Sequence, residues 1–403
     1  MKTSAIALVM VPALAHAGGL GRPNGISARG AGMGGAWCAW VDDATAVWFD
    51  PAAMAESEPE VMVGGELVVG PRRFTPVGDD GSRGAEQSAT VIAPVPAIGA
   101  VGRFDADARF TLGAGLWNTF GGKVTFDNPD AMPALDSTEE AVVELDAGAA
   151  LRVSDKLSVG GALRVGLGLF ALDATMAPFD ATLSANGVGV GMTWGVLVSP
   201  SERVRVAAVW RSRLRITTSG DGTIELASGP SQQQVEHVQT WPQEAALGVG
   251  WAPRDRLRLA AQVDYTQWSA VRDLVVAFPT TPALDQTYRE DWRDSWTVRA
   301  GGEYAATPML AVRGGAYVDT AAVPDRTIER QYLDSFKIGV AAGASVTRTA
   351  WRVDAAVDLV VPNTRAVPNN SVESASFPAD RNKAPGDYYG TLVTLELAGA
   401  YRF

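Results

Sequence analysis

Residues 203–216 read Arg-Val-Arg-Val-Ala-Ala-Val-Trp-Arg-Ser-Arg-Leu-Arg-Ile. Val204, Val206, Ala208, Trp210, Leu214 and Ile216 share one parity; Arg203, Arg205, Arg211, Arg213 and Arg215 share the other. Successive side chains of a strand point to opposite faces, so this period of two predicts a strand with one apolar face and one charged face. The pattern recurs outward in both directions. Segment 157–169 sets Leu157, Val159, Leu163, Val165, Leu167 and Leu169 against Ser158, Gly160, Ala162, Arg164, Gly166 and Gly168. Segment 350–361 sets Trp351, Val353, Ala355, Val357 and Leu359 against Arg352, Asp354 and Asp358. Fourteen such segments fill the chain after residue 59: 60–70, 88–102, 108–118, 141–153, 157–169, 187–198, 203–216, 243–252, 256–268, 295–305, 309–319, 334–346, 350–361 and 390–403.

Their connections alternate in length without a break. The tight ones are Asp105–Asp107, Ser154–Lys156, Ser199–Glu202, Pro253–Asp255, Ala306–Pro308 and Thr347–Thr349. Between them fall long ones such as Trp117–Glu140, Thr217–Pro242, Ser269–Asp294 and Pro362–Gly390. Every tight turn therefore lies on one side of a sheet and every long loop on the other. A soluble sandwich shares the two-residue period. The strand number, the roughly ten-residue strands and the loop asymmetry instead predict an all-β fold, a fourteen-stranded antiparallel transmembrane β-barrel.

The ends agree with an outer-membrane destination. Lys2, the apolar run Ala5–Leu14 and Ala15-His16-Ala17 have the layout of a signal peptide, with cleavage expected before Gly18. That run is too short to span a bilayer as a helix. At the other end Val393, Leu395, Leu397, Gly399, Tyr401 and Phe403 alternate with Thr394, Glu396, Ala398, Ala400 and Arg402. A final strand ending on Phe resembles the assembly signal of Gram-negative outer-membrane proteins, which implies the barrel-assembly machinery as a partner during insertion. Fourteen strands place both termini on one side, expected to be the periplasm. Outer-membrane lipid and lipopolysaccharide are then the expected surroundings.

Composition narrows function by exclusion. The chain carries 34 basic and 45 acidic residues; without Lys2 the balance is 33 to 45, a net −12, which argues against a nucleic-acid partner. Cys38 is the single cysteine, and His237 is the single histidine past the signal. Intrachain disulfides, Cys–His or Ser–His catalysis and histidine-based metal sites are therefore not expected, nor is a cofactor. His237 falls in the polar stretch Gln232–Gln239 and reads as a solvated loop side chain. Glycine is abundant and sits inside strands, where it lets a wall bend and a plug come close.

Residues 18–59 lack the strand rhythm. They contain Gly30-Ala31-Gly32-Met33-Gly34-Gly35-Ala36 and Asp42-Asp43-Ala44-Thr45-Ala46-Val47-Trp48-Phe49-Asp50-Pro51-Ala52. This glycine-rich run, acidic pair and aromatic before Pro-Ala resemble the N-terminal hatch of the FadL/TodX family, with Asp50 where the family pattern has Asn. Asp264–Ser269, Trp292–Val298 with Gly302-Glu303-Tyr304, Arg313–Tyr317 with Pro324, and Tyr401-Arg402-Phe403 extend the resemblance along nearly the whole chain. It implies a passive, non-enzymatic transporter of hydrophobic compounds, long-chain fatty acids first, with uptake of monoaromatic hydrocarbons or a non-transport structural outer-membrane barrel as the alternatives. The domains would be a signal peptide at 1–17, a hatch at 18–59 and a barrel at 60–403. A barrel of this width leaks unless something fills it. The hatch residues Gly30, Gly32, Gly34, Gly35, Asp42, Asp43, Asp50, Pro51 and Ala52 are expected to form that plug, with Asp42 and Asp43 paired to wall arginines such as Arg205 or Arg299.

A fatty acid needs an apolar pocket for its tail and a cation or several donors for its carboxylate. Arg299, Arg313 and Arg205 are the candidates on the expected lumenal face. In the resembled family the cargo leaves sideways near an inward kink of the third strand. Here Pro94 and Pro96 remove two N–H donors aimed at the same neighbour. Gly113 and Gly115 weaken the third strand beside them. These four residues are the expected lateral gate.

Overall fold

In the computed structural model the described residues are 26–403, apart from 79, 105–108, 127–134, 177–178, 332, 362–363 and 369–384. The signal peptide at 1–17, the first hatch residues and the Asp105–Asp107 turn lie outside them. Strands occupy β1 (Glu60–Pro76), β2 (Gln87–Arg103), β3 (Phe110–Thr125), β4 (Leu135–Ser154), β5 (Leu157–Met176), β6 (Phe179–Ser201), β7 (Val204–Arg211), β8 (Leu214–Leu226), β9 (Gly229–Trp241) and β10 (Glu244–Arg254). They continue with β11 (Leu257–Thr266), β12 (Asp273–Ala277), β13 (Gln286–Arg289), β14 (Ser295–Ala305), β15 (Leu310–Asp319), β16 (Lys337–Arg348), β17 (Trp351–Val361), β18 (Arg365–Val367), β19 (Gly386–Gly390) and β20 (Leu392–Arg402). β7 with β8, and β9 with β10, each form one kinked strand; β12, β13, β18 and β19 are short pieces at the loop end. Fourteen antiparallel strands remain, and β1 closes the barrel on β20 from Glu60↔Arg402 to Val69↔Val393.

Closure decides which face meets which solvent. Along β17 odd residues are exposed and even ones buried, so Trp351, Val353, Val357 and Leu359 point out while Arg352, Asp354 and Asp358 point in. Leu145, Leu163, Val188, Val190, Leu397 and many other apolar side chains are exposed around the outside. So large an apolar exterior requires lipid. The Tyr265 and Trp296 rings pack tilted, 4.9 Å apart, at the loop end, and those of Trp351 and Tyr401 4.7 Å apart at the tight-turn end. These aromatics mark the two edges of the lipid-facing band.

Two sequence expectations are corrected here. Several long connections are largely strand: β3 runs to Thr125, β5 and β6 pair out to Met176↔Phe179, and β8 and β9 form a hairpin out to Leu226↔Gly229. Beyond the lipid band the outward face turns polar, which erased the alternation. The single strand 203–216 is also broken. Thr193↔Arg211 and Asn186↔Ser219 are in register, so seven residues, 212–218, face six, 187–192. That extra residue is a β-bulge, which reverses the faces. Leu214 and Ile216 are buried in the lumen, while Arg213 and Arg215 are exposed outside.

Residues 26–59 fill the tight-turn half of the lumen. Helix α1 (Ala28–Gly32) starts at Ser27, whose Oγ accepts the Gly30 N–H at 3.1 Å, a standard N-cap. Gly34 and Gly35, at φ +64° and +78°, turn the chain back after it. Helix α2 (Ala46–Phe49) leads to a 3-10 turn, Pro51–Glu56, capped by Asp50 Oδ1 on the Ala52 N–H at 3.0 Å. Trp37, Val47, Trp48 and Met54 are buried among wall residues Met62, Ala97, Trp117 and Ala398. The hatch touches the wall where the wall has glycine: a Cβ on Gly195 would stand 1.9 Å from Asp50 Oδ1, and one on Gly315 2.1 Å from the Met33 carbonyl carbon.

Candidate functional site

Charged side chains bolt the hatch to the wall. Arg29 donates to Asp42 at 2.5 Å and Asp43 at 3.0 Å and lies 3.7 Å from Glu303 of β14. Arg258 of β11 holds Asp42 at 3.0 Å. Arg352 of β17 reaches Asp43 at 3.6 Å, Glu60 at 2.9 Å and Asp354 at 2.8 Å. Arg211 donates to the Trp48 carbonyl at 3.0 Å and lies 3.3 Å from Glu144, which Arg164 holds at 2.7 Å. Most of these groups are fully buried, where a charge persists only when paired.

The three arginines expected to bind ligand belong to this latch. Arg299 donates to Asp264 at 2.6 Å and to the Gly34 carbonyl at 3.1 Å. Arg313 pairs with Glu303 at 2.5 Å and also donates to Ser345. Arg205 lies 3.7 Å from Glu56 and over the Trp40 ring. The partners of Asp42 and Asp43 are Arg29, Arg258 and Arg352 rather than Arg205 or Arg299. Sequence could place these arginines on the lumenal face, but their depth along the barrel depends on strand register.

Above the hatch the lumen is apolar. Val68 and Phe74 of β1, Val91, Ala93 and Val95 of β2, Phe120 of β3, Leu214 and Ile216 of β8, and Trp241 form one buried layer with Trp268, Trp292 and Ile328. Phe120 stacks on Trp241 at 5.0 Å, and Trp268 packs against Trp292 at 5.1 Å. A cavity of about 40 Å³ lies beside Trp241, Trp268 and Trp292. Ligand pockets usually measure roughly 300–1,000 Å³, so a guest must displace side chains here. The same cavity touches Glu140 and His237. His237 is not the solvated residue expected: it is 2 % exposed, 3.2 Å from Glu140 and 2.8 Å from the Val275 carbonyl.

The two ends of this layer differ in charge. At the loop end residues 327–331 are buried, and Arg330 donates to Gln87 of β2 and sits 4.6 Å over the Phe126 ring. Arg72 of β1 donates to the adjacent Gln331 carbonyl at 3.2 Å. Among the described residues no carboxylate lies within ion-pair distance of Arg72. Sequence reasoning missed both arginines. Arg72 stands past the expected end of the first strand and Arg330 in a loop. At the hatch end Glu66 of β1 faces Glu396 of β20, both 4 % exposed. Beside them Asp358 of β17 faces Thr394 of β20, and the Tyr317 hydroxyl donates to Asp358 at 3.0 Å. Among the described residues no hydrogen-bond partner reaches either carboxylate oxygen of Glu66 or Glu396, or the Thr394 hydroxyl. No group of three or more His, Cys, Asp or Glu side chains among them is placed to hold a metal ion.

The wall beside the apolar layer has an open seam. The β2–β3 ladder runs only from Arg103↔Thr111 to Ile98↔Leu116, although β1 pairs β2 out to Gln87 and β4 pairs β3 out to Thr125. Pro96 and Pro94 come immediately after the last β2–β3 pair. Across the seam β3 bulges at Thr119, Gly121 takes φ +99°, and Phe120 turns into the lumen. Gly113 and Gly115 lie in the paired part instead, opposite Val101 and Gly99. A Cβ on Gly113 would meet Val47 and Met54 of the hatch at 2.5 and 2.6 Å, and one on Gly115 the Trp117 ring at 1.8 Å.

The chain matches the family model described as "Outer membrane protein transport protein (OMPP1/FadL/TodX)" over residues 8–403. It belongs to the OMPP1/FadL/TodX family. Solved structures agree on the fold. A Pseudomonas aeruginosa FadL homologue superposes with a TM-score of 0.83 at 16% identity, covering 96% of this chain and 100% of that one. The Ralstonia pickettii toluene transporter TbuX gives 0.69 at 17% identity, covering 93% and 97%. The Pseudomonas putida toluene transporter TodX gives 0.71 at 14%, covering 93% and 97%. No curated protein matches the sequence. As a FadL/TodX member the chain is an outer-membrane transporter of hydrophobic compounds.

Proposed function

We propose that this FadL/TodX protein takes up long-chain fatty acids passively, without catalysis or cofactor. The loop end faces outward and both termini lie in the periplasm, after removal of the signal peptide. The observation that carries the reading is the apolar layer capped by Arg72 and Arg330. A fatty acid would bind with its tail among Phe74, Phe120 and Trp241 and its carboxylate at the two arginines. A charge-assisted hydrogen bond there supplies the polar anchor such pockets need. The cargo would then leave sideways through the β2–β3 seam beside Pro94 and Pro96, into the lipid. Gly113 and Gly115 serve this route by letting the hatch and Trp117 pack beneath the opening.

A second reading, uptake of monoaromatic hydrocarbons, is favoured by the ring cluster of Phe120, Trp241, Trp268 and Trp292, which suits a flat neutral guest. Mass spectrometry of hydrophobes retained by the folded, detergent-purified barrel separates the two. A retained fatty acid supports the first reading and an aromatic the second. A barrel that retains neither and binds neither added oleate nor toluene overturns both.

A further inference from the structure

The carboxylate cluster beneath the apolar layer has no task in the latch or in fatty-acid capture. Glu66, Glu396 and Asp358 project inward from β1, β20 and β17, between hatch-facing Met62, Ala398 and Ala356 and layer-facing Val68, Leu392 and Val360. The cluster therefore sits at the floor of the ligand layer. Glu66 and Glu396 are direct cross-strand neighbours, and their oxygens meet no donor among the described residues. Like charges directly opposite destabilise a sheet, and buried carboxylates need a partner or a proton. Arg299 stacks 5.1 Å from the Tyr317 ring, but its guanidinium is held by Asp264 and the Gly34 carbonyl. A separate polar group points the same way. The Thr394 hydroxyl, 0 % exposed, two residues from Glu396 and opposite Asp358, also has no partner among the described residues.

We propose that Glu66, Glu396, Asp358 and Thr394 form a floor subsite that receives the ammonium group of an otherwise apolar amine. An alkyl- or arylammonium has three donors and one positive charge, which suits carboxylates and a hydroxyl at the end of an apolar slot. A hard metal ion is not served, since the side chains do not converge for one. The same lumen then holds guests in two orientations. An acid lies with its head at Arg72 and Arg330, and an amine with its head at the floor. This inference rests on the reading of the apolar layer as the ligand site.

The test compares octylamine, octanol and octanoate at neutral pH, by tryptophan fluorescence of the barrel in lipid nanodiscs against empty nanodiscs. Octylamine is expected to bind at least ~10-fold tighter than octanol, as one charge-assisted hydrogen bond allows. Glu66→Gln, Glu396→Gln and their combination should remove that preference and leave octanoate unchanged. Arg72→Gln should weaken octanoate and spare octylamine. Heat-modifiable gel migration identifies folded barrels, and the wild-type comparison needs no variant. Octylamine binding no tighter than octanol, or a preference that survives both glutamine variants, overturns the floor subsite. Arg72-dependent octanoate binding in the same experiment would leave the ligand layer standing. Failure of all three probes to bind overturns both.

Discussion

Asp50 shows how much one hatch residue can decide. Its Oδ1 caps the turn at Ala52, its side chain presses on Gly195, and Oδ2 has no partner among the described residues. Burial pushes its pKa up, against the opposing Ala52 N–H, to about 7. A carboxyl with a raised folded-state pKa binds its proton more tightly folded than unfolded. Its contribution is thus full below the unfolded value near 3.8 and is lost as pH rises from there through about 7. Asn at this position keeps the acceptor without the charge. Asp50→Asn should leave stability unchanged at pH 4 and raise it by roughly 1–3 kcal/mol at pH 8. Urea unfolding at the two pH values checks this; equal effects at both would mean that the charge is not what burial penalises. The Asp-Pro-Ala motif was legible in sequence, but the glycine beneath it and the missing second partner were not.

At the scale of the element, alternation predicted nearly every strand, because one face meets lipid and the other the lumen along most of each. It failed where the wall is irregular. The bulge at Ser212–Arg213 moved Leu214 and Ile216 into the ligand layer, and parity alone assigned them outside. The bulge at Thr119 did the same for Phe120. A one-residue insertion leaves composition untouched while reversing every face beyond it. The prolines were a better guide, since the lost donors of Pro94 and Pro96 can be read from sequence and the β2–β3 ladder stops beside them. Replacing both with Val supplies two N–H donors and a β-favouring side chain. Pro94→Val/Pro96→Val should extend that ladder, slow amide exchange at Ala93–Ala97 and reduce oleate uptake into cells several-fold, with binding to the purified barrel unchanged. Slowed exchange with unaltered uptake would place the exit elsewhere.

The whole molecule divides along its axis into a charged hatch layer, an apolar layer and a loop cap. The division follows from filling a fourteen-stranded barrel. A water-filled lumen would leak, an all-apolar plug could take alternative packings, and paired charges fix one seating at the cost of desolvation. The inventory of arginines and acids is legible in the sequence but their pairing is not, because partners such as Glu60 and Arg352 are 292 residues apart and meet only on closure. Arg352 is the cation where hatch, β1 and β17 join. Arg352→Leu would leave Asp43, Glu60 and Asp354 buried without it. Removing one partner of a buried pair typically costs about 3–5 kcal/mol. That loss should fall on the hatch, since the strand hydrogen bonds are untouched. The variant should still fold as a heat-modifiable barrel, yet conduct ions across planar bilayers where the wild type does not and expose 26–59 to protease. A sealed, protease-resistant Arg352→Leu barrel would mean that packing of Trp37, Trp48 and Met54 alone seats the plug.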